Sequence, residues 1–81
     1  MRGDYWSRLV LCPLDVRVLA ATDPSWRRTA GQVGRVAGCG EDVADSALRR
    51  LRAHMLVEPD RCFPRGWVRT RWGDVTLEHQ S

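Results

Sequence analysis

The sequence predicts a mostly α domain with a small β-hairpin, in which three helices are followed by two strands. Three observations carry that expectation. Thr29-Ala-Gly-Gln32 has the form of a capping box, the reciprocal side-chain pairing that starts a helix. Gly38-Cys39-Gly40 then separates two stretches of helical apolar spacing. Beyond them, residues 67–72 alternate Trp67, Arg69 and Arg71 against Val68, Thr70 and Trp72, the period-2 pattern of a strand.

Residues 1–12 mix Tyr5, Trp6, Leu9, Val10 and Leu11 with charges, and the pattern fits either a short strand or a helical lead-in. Pro13 suits the first turn of a helix, where its missing N–H costs nothing; Leu14, Val18 and Ala21 continue at helical spacing, so the first helix ends near Thr22. Asp23, Pro24 and Ser25 form a turn signal, and residues 26–28 have room for one very short strand. The second helix starts at Thr29 with Ala30, Val33, Val36 and Ala37 as its apolar stripe. Gly31 and Gly34 each cost it about 1 kcal/mol against Ala, and Gly34 is expected where another helix crosses closely.

The third helix follows Gly40 with Glu41 and Asp42 at the positive end of its dipole. Val43, Ala44, Ala47, Leu48, Leu51 and Met55 fall on one arc, with Asp42, Asp45, Ser46, Arg49 and Ala53 opposite, so one face is buried and the other presented. Leu56 and Val57 open a strand, residues 59–66 are a turn-rich loop, and residues 67–72 complete the hairpin. Gly73 and Asp74 break it, leaving residues 75–77 as a last short element before a frayed end.

Length and composition limit the function classes. Eighty-one residues make one domain with a small core, and 43% hydrophobic residues with four Trp exclude a chain that stays unfolded. All 13 basic residues are Arg, the side chain that forks onto phosphates and guanine edges, although GC-rich coding produces the same usage. The net charge of +3 is unevenly spread, with a basic excess on either side of an acidic stretch at residues 41–60. Cys12, Cys39 and Cys62 lack the paired spacing of a tetrahedral metal site and read as reduced, mostly buried small hydrophobes. No segment approaches the roughly 20 apolar residues of a membrane span, and no signal-peptide pattern stands at the N-terminus. The expectation is an intracellular protein with no membrane partner, no cofactor and no metal.

The segment TAGQVGRVAGCGEDVADSALRRLRAHMLV, residues 29–57, resembles the winged helix-turn-helix domains of bacterial or phage transcription regulators. The family's cap, helix, Gly turn and second helix fall on Thr29, Val33, Gly38 and Val43, with Leu48 and Leu51 in its paired leucine slots. Leu56 and Val57 match the apolar pair that opens the wing, and Thr70 with Gly73 the threonine and glycine that often close it. The resemblance divides the chain into an N-terminal extension (1–12), a three-helix winged helix-turn-helix domain (13–73) and a C-terminal tail (74–81).

What the resemblance implies is sequence-specific binding of double-stranded DNA by a small transcriptional regulator, cytoplasmic and nucleoid-associated. Residues 41–54 would be the recognition helix in the major groove and residues 57–72 a basic wing. Base-reading positions then fall on Asp42, Asp45, Ser46 and Arg49; Arg49 suits guanine, whereas an Asp accepts only and is repelled by phosphate. Helix capping for Asp42 and an i to i+4 ion pair from Asp45 to Arg49 are the structural alternatives. Phosphate-contact candidates are Arg27, Arg28, Arg35, Arg50 and Arg52, with Arg61, Arg65, Arg69 and Arg71 in the wing. Trp6, Trp26, Trp67 and Trp72 are expected as covers of a small core rather than as stacking platforms. Met55 stands where the family usually ends this helix with glycine.

An enzyme is not expected, because His54 and His79 have no partner at an informative spacing and no nucleophile elbow or phosphate loop is present. The alternative function is a winged-helix protein-protein interaction module, such as an anti-repressor, a regulatory subunit or a phage assembly component. The acidic presented face favours that reading and the basic wing opposes it. The apolar segment at residues 5–11 either pairs two copies into a homodimer or packs on its own core.

Overall fold

The computed structural model describes residues 2–60 and 66–80. It is mostly helical, with five helices and one small antiparallel sheet in the order α1 (Arg2–Arg8), α2 (Pro13–Ala21), β1 (Arg28–Thr29), α3 (Ala30–Ala37), α4 (Glu41–Ala53), β2 (Val57–Pro59), β3 (Gly66–Arg69) and α5 (Arg71–Glu78). Among the described residues no helix is long and apolar enough to cross a membrane.

The locally encoded elements form as their residues dictate. Pro13 occupies the first turn of α2, and Val18, Leu19 and Ala21 turn inward. At α3 the capping box closes in both directions, Gln32 N–H donating to Thr29 Oγ1 at 3.2 Å and Thr29 N–H to Gln32 Oε1 at 2.9 Å. Gly38 ends α3 in the left-handed region at φ 77°, a conformation that its missing Cβ makes cheap. Cys39 N–H then reaches back to the Gly34 carbonyl at 2.8 Å. A Cβ on Gly34 would stand 2.8 Å from the Cys39 carbonyl oxygen. The close approach expected at Gly34 is therefore real, but it is made by the backbone of the turn and not by a crossing helix.

The core is one cluster in which Val18 and Leu19 of α2, Val33 of α3, and Ala44, Ala47, Leu48 and Leu51 of α4 meet Leu56 and Val57, all essentially without solvent contact. Three expected core positions are exposed instead: Val36 at 62%, Val43 at 44% and Met55 at 57%. Val36 and Val43 sit at the edge of their helix's apolar arc, next to the turn. Cys12 is likewise exposed rather than buried, and Cys39 is half-buried; Cys62 lies outside the described residues.

Helix α4 ends in a Schellman arrangement: Met55 N–H bonds the Arg52 carbonyl at 2.8 Å and Leu56 N–H the Leu51 carbonyl at 3.0 Å. That geometry puts Met55 in the left-handed region at φ 62°, where glycine is the usual residue. The helix thus ends where a glycine would end it, at a cost in backbone strain. Because Met55 is 57% exposed and buries little, Met55→Gly is expected to stabilise the fold by about 0.5–1 kcal/mol. Thermal unfolding of the two proteins reads this directly, and a lower midpoint in the glycine variant would contradict it.

The sheet has strand order β1-β3-β2, with Arg28 opposite Trp67, Thr29 opposite Gly66, and Val57, Glu58 and Pro59 opposite Arg69, Val68 and Trp67. The expected two-stranded hairpin is thus joined by the short strand before α3. Its second strand is also shorter than the alternation implied: it stops at Arg69, and Thr70 caps α5 by accepting from Gly73 N–H at 3.2 Å. Thr70 Oγ1 donates to the Met55 carbonyl at 2.6 Å as well, which fixes the start of α5 to the end of α4.

The two ends of the described chain meet, α1 and α5 packing on each other. Trp6 and Trp72 stack with centroids 4.0 Å apart and planes 9° from parallel. Trp6 Nε1–H donates to the His54 carbonyl at 2.9 Å and buried Thr76 Oγ1 to the Trp6 carbonyl at 3.2 Å. Gln80 closes the pair, accepting from Leu11 N–H at 3.2 Å and donating to the Leu9 carbonyl at 2.5 Å.

Candidate nucleic-acid interface

The outward side of α4 is the candidate surface, and its rigidity comes from beneath. Asp15 on α2 is buried, and Arg50 of α4 donates to both its oxygens, Nη2 to Oδ1 at 2.7 Å and Nε to Oδ2 at 3.2 Å. A bidentate pair of this kind fixes orientation as well as contributing energy. The hydrogen bonds and charge of Asp15 raise the Arg50 pKa further above its already high ordinary value. Arg50, read from sequence as a phosphate contact, is therefore first a clamp between α2 and α4, although half of its side chain stays exposed.

On the outer face Asp42, Ser46 and Arg49 are exposed, as expected. Arg49 Nε donates to Asp45 Oδ2 at 3.0 Å, the i to i+4 pair foreseen from spacing, while 76% of the Arg49 side chain remains open. The pair holds the guanidinium without consuming it. Asp42 does not cap α4, because Gly40 is the N-cap and makes no side-chain bond; Asp42 and Glu41 instead sit in the first turn at the positive end of the dipole. The face is thus polarised, acidic at its start and basic through Arg49, Arg50 and Arg52 toward its end.

The other Arg candidates divide. Arg35 on α3 is exposed, as is Arg71, whose guanidinium carbon lies 5.8 Å from the centroid of the Trp72 ring. Arg28 is half-buried and donates to the Ala21 carbonyl at 2.5 Å, tying β1 to the end of α2. Arg69 is the clearest correction: instead of facing a groove, its side chain is only 16% exposed. Its Nε pairs with Asp74 at 2.7 Å and its Nη1 donates to the carbonyls of Leu19 and Thr22 at 3.2 and 3.0 Å. The alternation placed it correctly on β3 but could not tell which side the helices cover. Arg27 pairs with Asp60. Arg61 and Arg65 lie outside the described residues.

Two clefts lie at the start of α3, and one of them reaches α4. One, of about 640 Å³, runs between the starts of α3 and α4 and is lined by Thr29, Gly31, Glu41, Asp45, Arg49 and Trp67. The second, of about 530 Å³, is lined by Ser25, Trp26, Arg27, Thr29 and Gln32, so Thr29 is common to both. Trp26 was expected as a core cover and is 73% exposed. It stands on a turn in which Asp23 Oδ1 accepts from Ser25 N–H at 2.8 Å and Trp26 N–H at 2.9 Å. Those two bonds, assisted by the charges of Arg28 and Arg69, hold the Asp23 carboxyl below its ordinary pKa. The Asp-Pro-Ser signal before Trp26 marked the turn, but nothing in the sequence marked the indole as outward.

Comparison of the chain with protein-family models, with characterised proteins and with solved structures yields no match.

Proposed function

We propose that this chain is a winged helix-turn-helix domain that binds double-stranded DNA and acts as a small transcriptional regulator, cytoplasmic and associated with the nucleoid. The observation that carries the reading is the row Asp42, Ser46 and Arg49 on the open side of α4, a helix braced from below by the Asp15–Arg50 pair and by α3. The order of elements supports it: two helices joined through a left-handed glycine, then an antiparallel strand pair whose connecting residues include Arg61 and Arg65. In this arrangement α4 enters the major groove, Arg49 contacts base edges, and Arg35, Arg52 and Arg71 neutralise phosphates. The histidines fit a binding module better than an enzyme, His54 sharing a 2.7 Å hydrogen bond with Tyr5 and His79 donating to the Val75 carbonyl at 2.9 Å.

A second reading rests on the exposed Val36 and Val43 and on the exposed acids Glu41 and Asp42 that open α4, side chains suited to a protein partner. Titration of a random-sequence duplex at two salt concentrations separates the two. Duplex binding is expected at low salt, and Arg35→Ala and Arg71→Ala are each expected to weaken it for all sequences and lower the salt slope by about 1. Arg49→Ala is expected to relax sequence preference instead. Affinity absent at low salt, or indifferent to salt, would reject the DNA reading and leave the protein-partner surface.

A further inference from the structure

We propose that Asp45 is a specificity-determining residue of the DNA-binding face, holding Arg49 end-on for the major-groove edge of a guanine and turning it away from phosphate. The inference rests on the DNA reading above and deepens it, because it says why one arginine of α4 reads a base while others neutralise the backbone.

The first argument is geometry. Asp45 Oδ2 accepts from Arg49 Nε at 3.0 Å, so the carboxylate grips the guanidinium on the stem side of its fork. Among the described residues nothing accepts from Arg49 Nη1 or Nη2. Those nitrogens form the far edge of a planar, rigid group and carry the parallel N–H donors that match guanine O6 and N7. The Arg49 side chain is 76% open against 38% for Asp45, so the less exposed acid supports a fork whose free edge meets solvent. Both residues stand on α4, one turn apart, and a helix is a stiffer mount than a loop.

The second argument is charge. A guanine edge is neutral, whereas a phosphate carries a full negative charge. A carboxylate beside the guanidinium therefore disfavours phosphate far more than guanine, and discrimination arises from repulsion of the wrong partner. Glu41 lines the same cleft as Asp45 and Arg49 and adds to the effect. Arg35, Arg52 and Arg71 differ: all three are exposed, and among the described residues no carboxylate pairs with any of them. In water an i to i+4 pair restrains its members weakly. In a groove that excludes water the same pair strengthens, so the restraint acts where the base is read.

This role moves two quantities in opposite directions, which a merely structural role would not do. Asp45→Ala uncovers a full cation, so affinity for a random-sequence duplex is expected to rise about threefold at low salt, with a slope steeper by up to about 1. Preference for guanine at the position read by Arg49 is expected to fall about fivefold in the same variant. Asp45→Asn keeps an oxygen for Nε without the charge; it is expected to share the tighter random binding and to retain more of the preference. Enrichment of a randomised duplex library by the intact chain measures the preference, and the position lost in Arg49→Ala identifies the base concerned. Titration of a random-sequence duplex at two salt concentrations measures affinity and slope. A wild type that enriches no guanine, an Asp45→Ala protein with wild-type preference or with unchanged or weaker random binding, or an Asp45→Asn protein no more selective than Asp45→Ala would overturn the inference. Wild-type duplex binding would still uphold the DNA reading in each of those cases. A wild-type chain that binds no duplex at low salt removes both.

Discussion

Gly73→Ala is expected to destabilise the fold by about 3 kcal/mol, the loss coming from a methyl group forced against backbone. An ideal Cβ at this position lies 2.4 Å from the Leu56 carbonyl oxygen and 2.6 Å from Arg69 Cγ. The Arg69 stem has some freedom to shift, but the carbonyl has little. It belongs to the residue that closes the Schellman arrangement of α4, and it already accepts from Thr70 N–H at 3.0 Å. Relief therefore requires α5 to lift, which strains the Thr70 cap and the Trp6–Trp72 stack together. The gain in helix propensity, about 1 kcal/mol, offsets only part of this. Since each kcal/mol moves the midpoint of a domain of this size by about 4–8 °C, thermal unfolding should show a drop of more than about 10 °C. A midpoint within about 3 °C of wild type would mean that α5 does not pack as closely as the geometry requires.

Arg69→Ala is expected to cost about 2–3 kcal/mol and, on the proposed DNA reading, to leave the duplex affinity of the folded protein unchanged. The side chain joins β3 to α5 through Asp74 and to the end of α2 through two carbonyls. Of those carbonyls, Leu19 keeps donors from Thr22 N–H and Thr22 Oγ1, at 3.1 and 2.5 Å, so the deficit falls on Thr22 and on the unpaired Asp74. Lysine is a poor replacement, because a single ammonium cannot reproduce a fork that serves three acceptors in fixed directions. Arg71→Ala provides the contrast: its guanidinium is exposed, so its loss should have little effect on urea unfolding and, on the proposed DNA reading, should lower duplex affinity. Urea titration and duplex titration of both variants distinguish the roles. If Arg69→Ala unfolds like the wild type but binds DNA more weakly, the inward assignment of Arg69 is mistaken.

The contrast between these two arginines shows how far the residues alone could be read. Strand alternation grouped Arg69 and Arg71 on one outward row, yet Arg69 lies under α5 and Arg71 begins that helix. The Thr70-to-Gly73 cap was visible as a pair of residues, and it fits the end of a strand as well as the start of a helix. What decided the matter was Trp6, 66 positions away from Trp72, whose stacked ring makes a helix the better use of residues 71–78. The same limitation hid Val36, Val43 and Trp26, since helical phase and composition report that a side chain is apolar and not whether a neighbour reaches it.

Short-range chemistry therefore belongs to the sequence. The capping box at Thr29, the left-handed glycine at 38, Pro13 at the head of α2, the Asp45–Arg49 pair and the inward row Ala44, Ala47, Leu48 and Leu51 of α4 depend on atoms a few residues apart, and each formed as its residues dictate. Tertiary structure alone decided the joining of the two chain ends through α1 and α5, the addition of β1 to the strand pair, and the sorting of arginines into clamps and open cations. It also decided that Met55 accepts a strained backbone and that Trp26 stays in water. The physical reason is common to all of these: each depends on which surfaces meet across the whole chain, and the free energy that selects the meeting is carried by contacts with no local pattern.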